Sequence, residues 1–95
     1  MNVTSLSTFQ VLDTVQTIAF NSECPKQGGF LHTNANFLRD PETSDRDRRA
    51  AFKTVVRLTK EVYNFGKGFK PGDRDILEQS YYMLQDAASA DRTSK

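Results

Sequence analysis

The chain reads as a small all-α domain, and three observations carry that reading. Residues 44–65 open with helix-start residues and then repeat apolar side chains at spacings of three and four for about six turns. Residues 73–90 do the same after a short Gly- and Pro-containing connection. No two segments alternate convincingly enough to pair as strands. The expected architecture is a single domain over 1–95, a small three-helix fold. In it a long antiparallel helical hairpin (44–65, 73–90) packs on an N-terminal helix (8–20), and residues 1–7 and 91–95 are frayed.

Each element has its own warrant. Ser7-Thr8-Phe9-Gln10 has the form of a capping box, in which Ser7 and Gln10 satisfy each other's backbone amides. Val11, Leu12, Val15, Ile18 and Ala19 then make one apolar stripe. The β-branched residues of 14–20 leave a strand as the competing reading. Residues 21–42 look least regular, because Pro25, Gly28, Gly29 and Pro41 punctuate them. They are expected to form a long ordered loop with one short helical turn near Asn34–Arg39, pinned to the core by Phe30, Leu31, Phe37 and Leu38. A loop of that length in so small a domain is a candidate binding element.

Ser44 is placed to cap the next helix, with Glu42, Asp45 and Asp47 favourable at its positive dipole end. Ala51, Val55, Leu58, Val62 and Phe65 form its inner stripe, flanked by Phe52, Val56, Thr59 and Tyr63. Gly66 suits the C-cap. Asp73 suits the cap of the last helix, whose inner face is Ile76, Leu77, Ser80, Met83, Leu84, Ala87 and Ala88. The seven Phe and three Tyr promise large buried area for a chain of 95 residues.

The net charge of +1 lacks the basic footprint of a dedicated nucleic-acid binder. The distribution is uneven. Residues 1–40 hold two cations and three anions, 41–70 hold eight and four, and 71–95 hold three and five. Basic character therefore belongs to the central helix and the connection after it. A single cysteine, Cys24, allows no internal disulfide. No apolar run reaches the 18 or so residues that span a membrane, and no signal-peptide pattern is present, so the cytoplasm is the expected location.

Catalytic constellations are poorly represented. His32 is the only histidine and lies eight residues from Cys24. A nucleophilic pair needs the two within hydrogen-bond reach, which this spacing does not enforce. One Cys and one His are too few for a zinc site. The pairs Asp45/Asp47 and Asp73/Asp75 sit where helix starts favour anions. The GKGFKPG connection (66–72) lacks the Gly-Lys-Ser/Thr ending of a phosphate loop. The chain is thus expected to be no enzyme and to need no cofactor or metal.

The row Arg49, Lys53, Arg57 and Lys60 follows one face of the central helix. Its bland reading is a solvated face, paired with Glu61 and acids of the last helix. Its functional reading is an electrostatic site, for which Tyr63, Tyr81 and Tyr82 offer stacking surface. Lys26, His32 and Arg39 in the preceding loop, and Arg74 at the last helix start, complete the candidate binding set.

Phe52, then Thr59-Lys60, then Pro71-Gly72-Asp73-Arg74-Asp75 opening a helix with an Ala-rich end form a further pattern. In these residues the segment 52–92 resembles the helical hairpin of phage-encoded proteins that sequester cyclic nucleotide signals of bacterial defence. The resemblance covers under half of the chain. Phe37-Leu38-Arg39-Asp40-Pro41 stands where that family has a Tyr-His-Pro approach, and the family's Trp-Ala-Asn hairpin end is lacking. It implies a nucleotide sponge with Lys60 and Arg74 as ligand contacts.

The composite expectation is a non-enzymatic binding protein that engages a protein partner through the basic helical face and the adjoining loop. A phage sponge for cyclic nucleotides is the second reading, an anionic small molecule being its ligand. A weak nucleic-acid accessory role is the third. Self-association would offset the small core of so short a chain.

Overall fold

A computed structural model of the protein describes residues 7–93, with side chains placed through Ala90. Of the ends expected to fray, 1–7 and 91–95, residues 1–6 and 94–95 lie outside the described residues, whereas Ser7 caps α1 and 91–93 continue α4. The described residues are all-helical, with four helices in the order α1 (Thr8–Asn21), α2 (Pro25–Arg39), α3 (Asp45–Phe65) and α4 (Asp73–Thr93). The expected three-helix count is therefore corrected to four. Residues 14–20 are helix, and α4 runs beyond residue 90.

The extra helix is α2, where the sequence reading expected a long loop. Pro25 stands at its first position, where its fixed φ suits a helix and its missing N–H is no loss. Gly28, Leu31, Ala35 and Leu38 then recur at three, four and three residues and are all buried. That stripe is narrow and half made of small residues. Packing outweighs the poor helix propensity of Gly28 and Gly29.

Caps fix the other starts. Ser7 Oγ accepts from the Gln10 amide at 3.2 Å while Gln10 Oε1 accepts from the Ser7 amide at 2.9 Å. Ser44 Oγ accepts from the Asp47 amide at 3.2 Å. Asp73 lies one residue inside α4 rather than at its cap, and its carboxylate accepts from the Lys70 amide at 3.0 Å. Gly66 ends α3 in an extended conformation, φ −64°. A Cβ there would strike the Phe69 ring and the Val62 carbonyl, so close approach rather than handedness requires the glycine.

Successive helices pack on one another, α4 also packs on α1, and the diagonal pairs scarcely touch. The ring encloses a core of aliphatic residues, among them Val11, Leu12, Val15, Leu31, Val55, Leu58, Val62, Leu77 and Leu84. No phenylalanine or tyrosine is fully buried. The expected aromatic core is thus corrected to an aliphatic one. Leu31 and Leu38 reach the interior, whereas Phe30 and Phe37 do not, and Phe65 is 64% exposed. Phe65 is the last residue of α3, where the helix runs out past the core.

Backbone contacts tie the ends of the fold together. Ser22, fully buried in the α1–α2 turn, accepts from the Lys67 amide at 2.8 Å through its carbonyl oxygen. Its hydroxyl donates to the Ile18 carbonyl at 2.6 Å. Glu23, next in the same turn, takes φ 63°, a left-handed conformation unusual for a residue with a side chain.

Candidate functional site

The face between α3 and α4 carries two open grooves. The first turns of α3 and the last described turns of α4 share one of about 540 Å³. Arg46, Arg49 and Lys53 supply its charge, and Phe52, Val56, Ala50 and Ala88 its apolar surface; among the described residues no carboxylate lines it. The last turns of α3 and the first of α4 share a second groove of about 520 Å³, lined by Lys60, Tyr63, Tyr81, Tyr82 and Glu78 among others. Gln85 borders both.

Helical geometry explains the placement. Residues 49, 53, 56, 60 and 63 advance by four, three, four and three, with Phe52 beside Lys53, and so follow the α4-facing flank of α3. The buried stripe of Ala51, Val55, Leu58, Thr59 and Val62 lies beside them. The hydroxyl of Thr59 donates back to the Val55 carbonyl at 2.8 Å, which lets it sit in the interior.

The candidate cations do not act as one set. Arg49 and Lys53 belong to the first groove and Lys60 to the second. Arg57 lines neither, and its guanidinium donates to Glu61 at 2.6 Å. Glu61 also accepts from Gln27 Nε2 at 3.4 Å, joining α3 to α2. Arg46 is a member of the first groove that the sequence reading left out. Its signal was present, one turn before Arg49 and two before Lys53.

Arg74 lies over two aromatic rings, 5.2 Å from the Tyr63 centroid and 5.0 Å from that of Phe69. Cation–π attraction of this kind contributes about 1 kcal/mol and holds the α3–α4 connection against α4. Arg74 therefore braces a wall of the second groove and is not among its lining residues.

Because the expected loop is a helix, its candidates do not fold over the basic row. Arg39 donates to Asp13 at 2.9 Å and lies 5.3 Å over the Phe9 ring, both on α1. His32 Nδ1 is 3.5 Å from Gln16 Nε2, and its Nε2 is 3.4 Å from Asn36 Nδ2. Lys26 is exposed near the start of α2.

Cys24 and His32 are not brought together. Cys24 is buried at the N-cap of α2, and His32 is exposed about 12 Å further along the helix axis. Among the described residues no three His, Cys, Asp or Glu gather as metal ligands, and no helix is long and apolar enough to cross a membrane.

No protein-family model, curated protein or solved structure matches this chain.

Proposed function

We propose that the protein is a non-enzymatic binding module whose α3/α4 face takes an acidic, amphipathic segment of a protein partner. One observation carries the reading. The first groove combines three cations, Arg46, Arg49 and Lys53, with an apolar wall of Phe52, Val56 and Ala88, and among the described residues no lining carboxylate balances them. A solvated basic face needs no concavity and no half-buried phenylalanine. An amphipathic acidic helix uses both, since its apolar residues fill the groove while its carboxylates meet the rim cations.

The test uses a fluorescent Glu-rich amphipathic helical peptide titrated by anisotropy. Binding is expected for the native protein and is expected to fall at least about tenfold in the Arg49→Glu, Lys53→Glu variant. Equal binding by the two proteins removes the reading. Capture from the native host then identifies the partner as the polypeptide retained by the native protein and lost from the variant.

A second reading rests on the second groove, where Lys60 shares its walls with Tyr63, Tyr81 and Tyr82. Aromatic faces stack on nucleobases and an ammonium meets a phosphate, so a cyclic nucleotide is the ligand this groove would take. This agrees with the resemblance to nucleotide sponges. A thermal shift with a panel of cyclic nucleotides, lost in Lys60→Ala, supports it, and no shift from any of them rejects it.

A further inference from the structure

Helix α2, which packs on α1 and α3 and scarcely touches α4, carries a second surface. Lys26, Phe30, Thr33 and Phe37 succeed one another at four, three and four residues, and Asp40 caps the helix three residues on. All five are exposed, Phe30 by 49% and Phe37 by 50%. Alternating steps of four and three keep them on one stripe, the spacing by which two helices interlock along a seam.

The order of chemistry along this stripe is cation, phenylalanine, threonine, phenylalanine, anion. Turned end for end, it presents the same apolar order with the terminal charges exchanged. Two copies related by a two-fold axis near Thr33 therefore run antiparallel and match throughout. Phe30 of one meets Phe37 of the second copy, and Lys26 meets Asp40 of the second copy, each contact occurring twice. An isologous interface requires a patch complementary to itself, and this one is, in both shape order and charge.

The surroundings agree. Residues 27–38 contain no Asp, Glu, Lys or Arg. Arg39, next along, is engaged with Asp13 and Phe9 on the flank of α1. Charge depletion around central aromatic residues is the composition of an interface core. The polar groups on the stripe are already provided for. Thr33 Oγ1 donates to the Gly29 carbonyl at 3.2 Å, and Asn34 Nδ2 donates to the Phe30 carbonyl at 2.8 Å. Covering them strands neither donor. Neither Lys26 nor Asp40 takes part in an ion pair among the described residues, although Asp40 Oδ1 accepts from the Glu42 amide at 2.9 Å.

We propose that this α2 stripe is the interface of a homodimer, formed by antiparallel pairing of α2 with α2 of a second copy. The paired stripe spans about 21 Å from Lys26 to Asp40, a small interface, so the monomer–dimer balance is sought over a wide range of concentration. It leaves both α3/α4 grooves uncovered, so a dimer presents them in pairs.

Sedimentation velocity and native mass spectrometry of the full chain, from low to several hundred micromolar, read the proposal directly. The expected species changes from one chain of 10.8 kDa to two as concentration rises. Replacing Phe30 and Phe37 by Ala is expected to weaken dimerisation by about a hundredfold, while circular dichroism and melting at low concentration stay those of a folded protein. Lys26→Asp and Asp40→Lys are each expected to weaken it by about tenfold, since each contact occurs twice. Combining the two substitutions restores it.

A protein monomeric throughout overturns the proposal and leaves the stripe to a foreign chain. A dimer indifferent to the Phe30 and Phe37 substitutions overturns it in favour of another face. Failure of the double charge exchange to restore pairing overturns the antiparallel arrangement.

Discussion

The Arg57 guanidinium meets the Glu61 carboxylate one helical turn later, at 2.6 Å, and this takes Arg57 out of the basic row it belongs to in sequence. What remains is divided between two grooves, Arg46, Arg49 and Lys53 in one and Lys60 in the other. The pair itself is worth little in stability, because Arg57 is well exposed and solvent screens it.

Arg57→Ala should accordingly leave binding of an acidic helical peptide within about twofold of the native protein, while Arg46→Ala weakens it by about tenfold. Anisotropy titration at one fixed salt concentration measures both. Equal losses from the two substitutions would show that the whole row acts as one surface.

Gly29→Ala and Gly28→Ala should move stability in different ways. A methyl at Gly29 meets nothing within 4 Å and stiffens the unfolded chain, so about 0.5–1 kcal/mol of stabilisation is expected at this helical position. At Gly28 the methyl would sit 2.9 Å from the Phe20 ring, which must swing aside and cancel that gain. Urea midpoints of the two variants, compared at the same protein concentration, decide it.

Gly66→Ala should cost about 1–3 kcal/mol. The added carbon would lie 2.7 Å from the Val62 carbonyl oxygen, which belongs to the backbone and cannot move aside as a side-chain tip can. Displacing Phe69 also loosens the stack on Arg74. Thermal denaturation reports the loss; a neutral result would mean that the 66–72 connection repacks freely.

Ser80 is fully buried on α4 and its hydroxyl has no partner among the described residues. Ser80→Ala should therefore raise stability by about 1 kcal/mol, by removing an unsatisfied polar group that the alanine methyl replaces in shape. A loss of similar size would reveal a bonded hydroxyl.

Glu23→Gly should stabilise by about 1 kcal/mol, the cost of holding a side chain at φ 63° in the turn after α1. No change in the urea midpoint would mean that the left-handed turn carries no strain.

Much of this was legible in the chain. The helix α3 announces itself through Ser44, Asp47 and the recurrence of Ala51, Val55, Leu58 and Val62, because its pattern is long and strongly two-sided. The helix α2 does not. Its buried residues are two leucines, an alanine and a glycine, while its conspicuous apolar residues, Phe30 and Phe37, point outward. Its proline and glycines resemble loop chemistry, yet Pro25 starts the helix and Gly28 seats Phe20. Residue type alone carries none of this, since each depends on what α1 places opposite.

The binding set divides in the same manner. Spacing put Arg49, Lys53 and Lys60 on one flank of α3, and the structure keeps them there. Lys26, His32 and Arg39 belong with that set only where their segment is a loop free to fold over it. As part of a helix that packs on both α1 and α3, they are held by its direction, and Arg39 and His32 meet α1 instead.

The second groove also fixes how the protein can be watched. The chain has three tyrosines and no tryptophan, and Tyr63, Tyr81 and Tyr82 all line that groove. Its ultraviolet emission therefore arises from one place on the surface. A ligand entering beside Lys60 would quench or shift the light of the whole molecule, whereas an occupant confined to the cationic groove or to the α2 stripe would leave it nearly unchanged. The native protein thus carries its own dye, already positioned to tell one binding event from the others without any label.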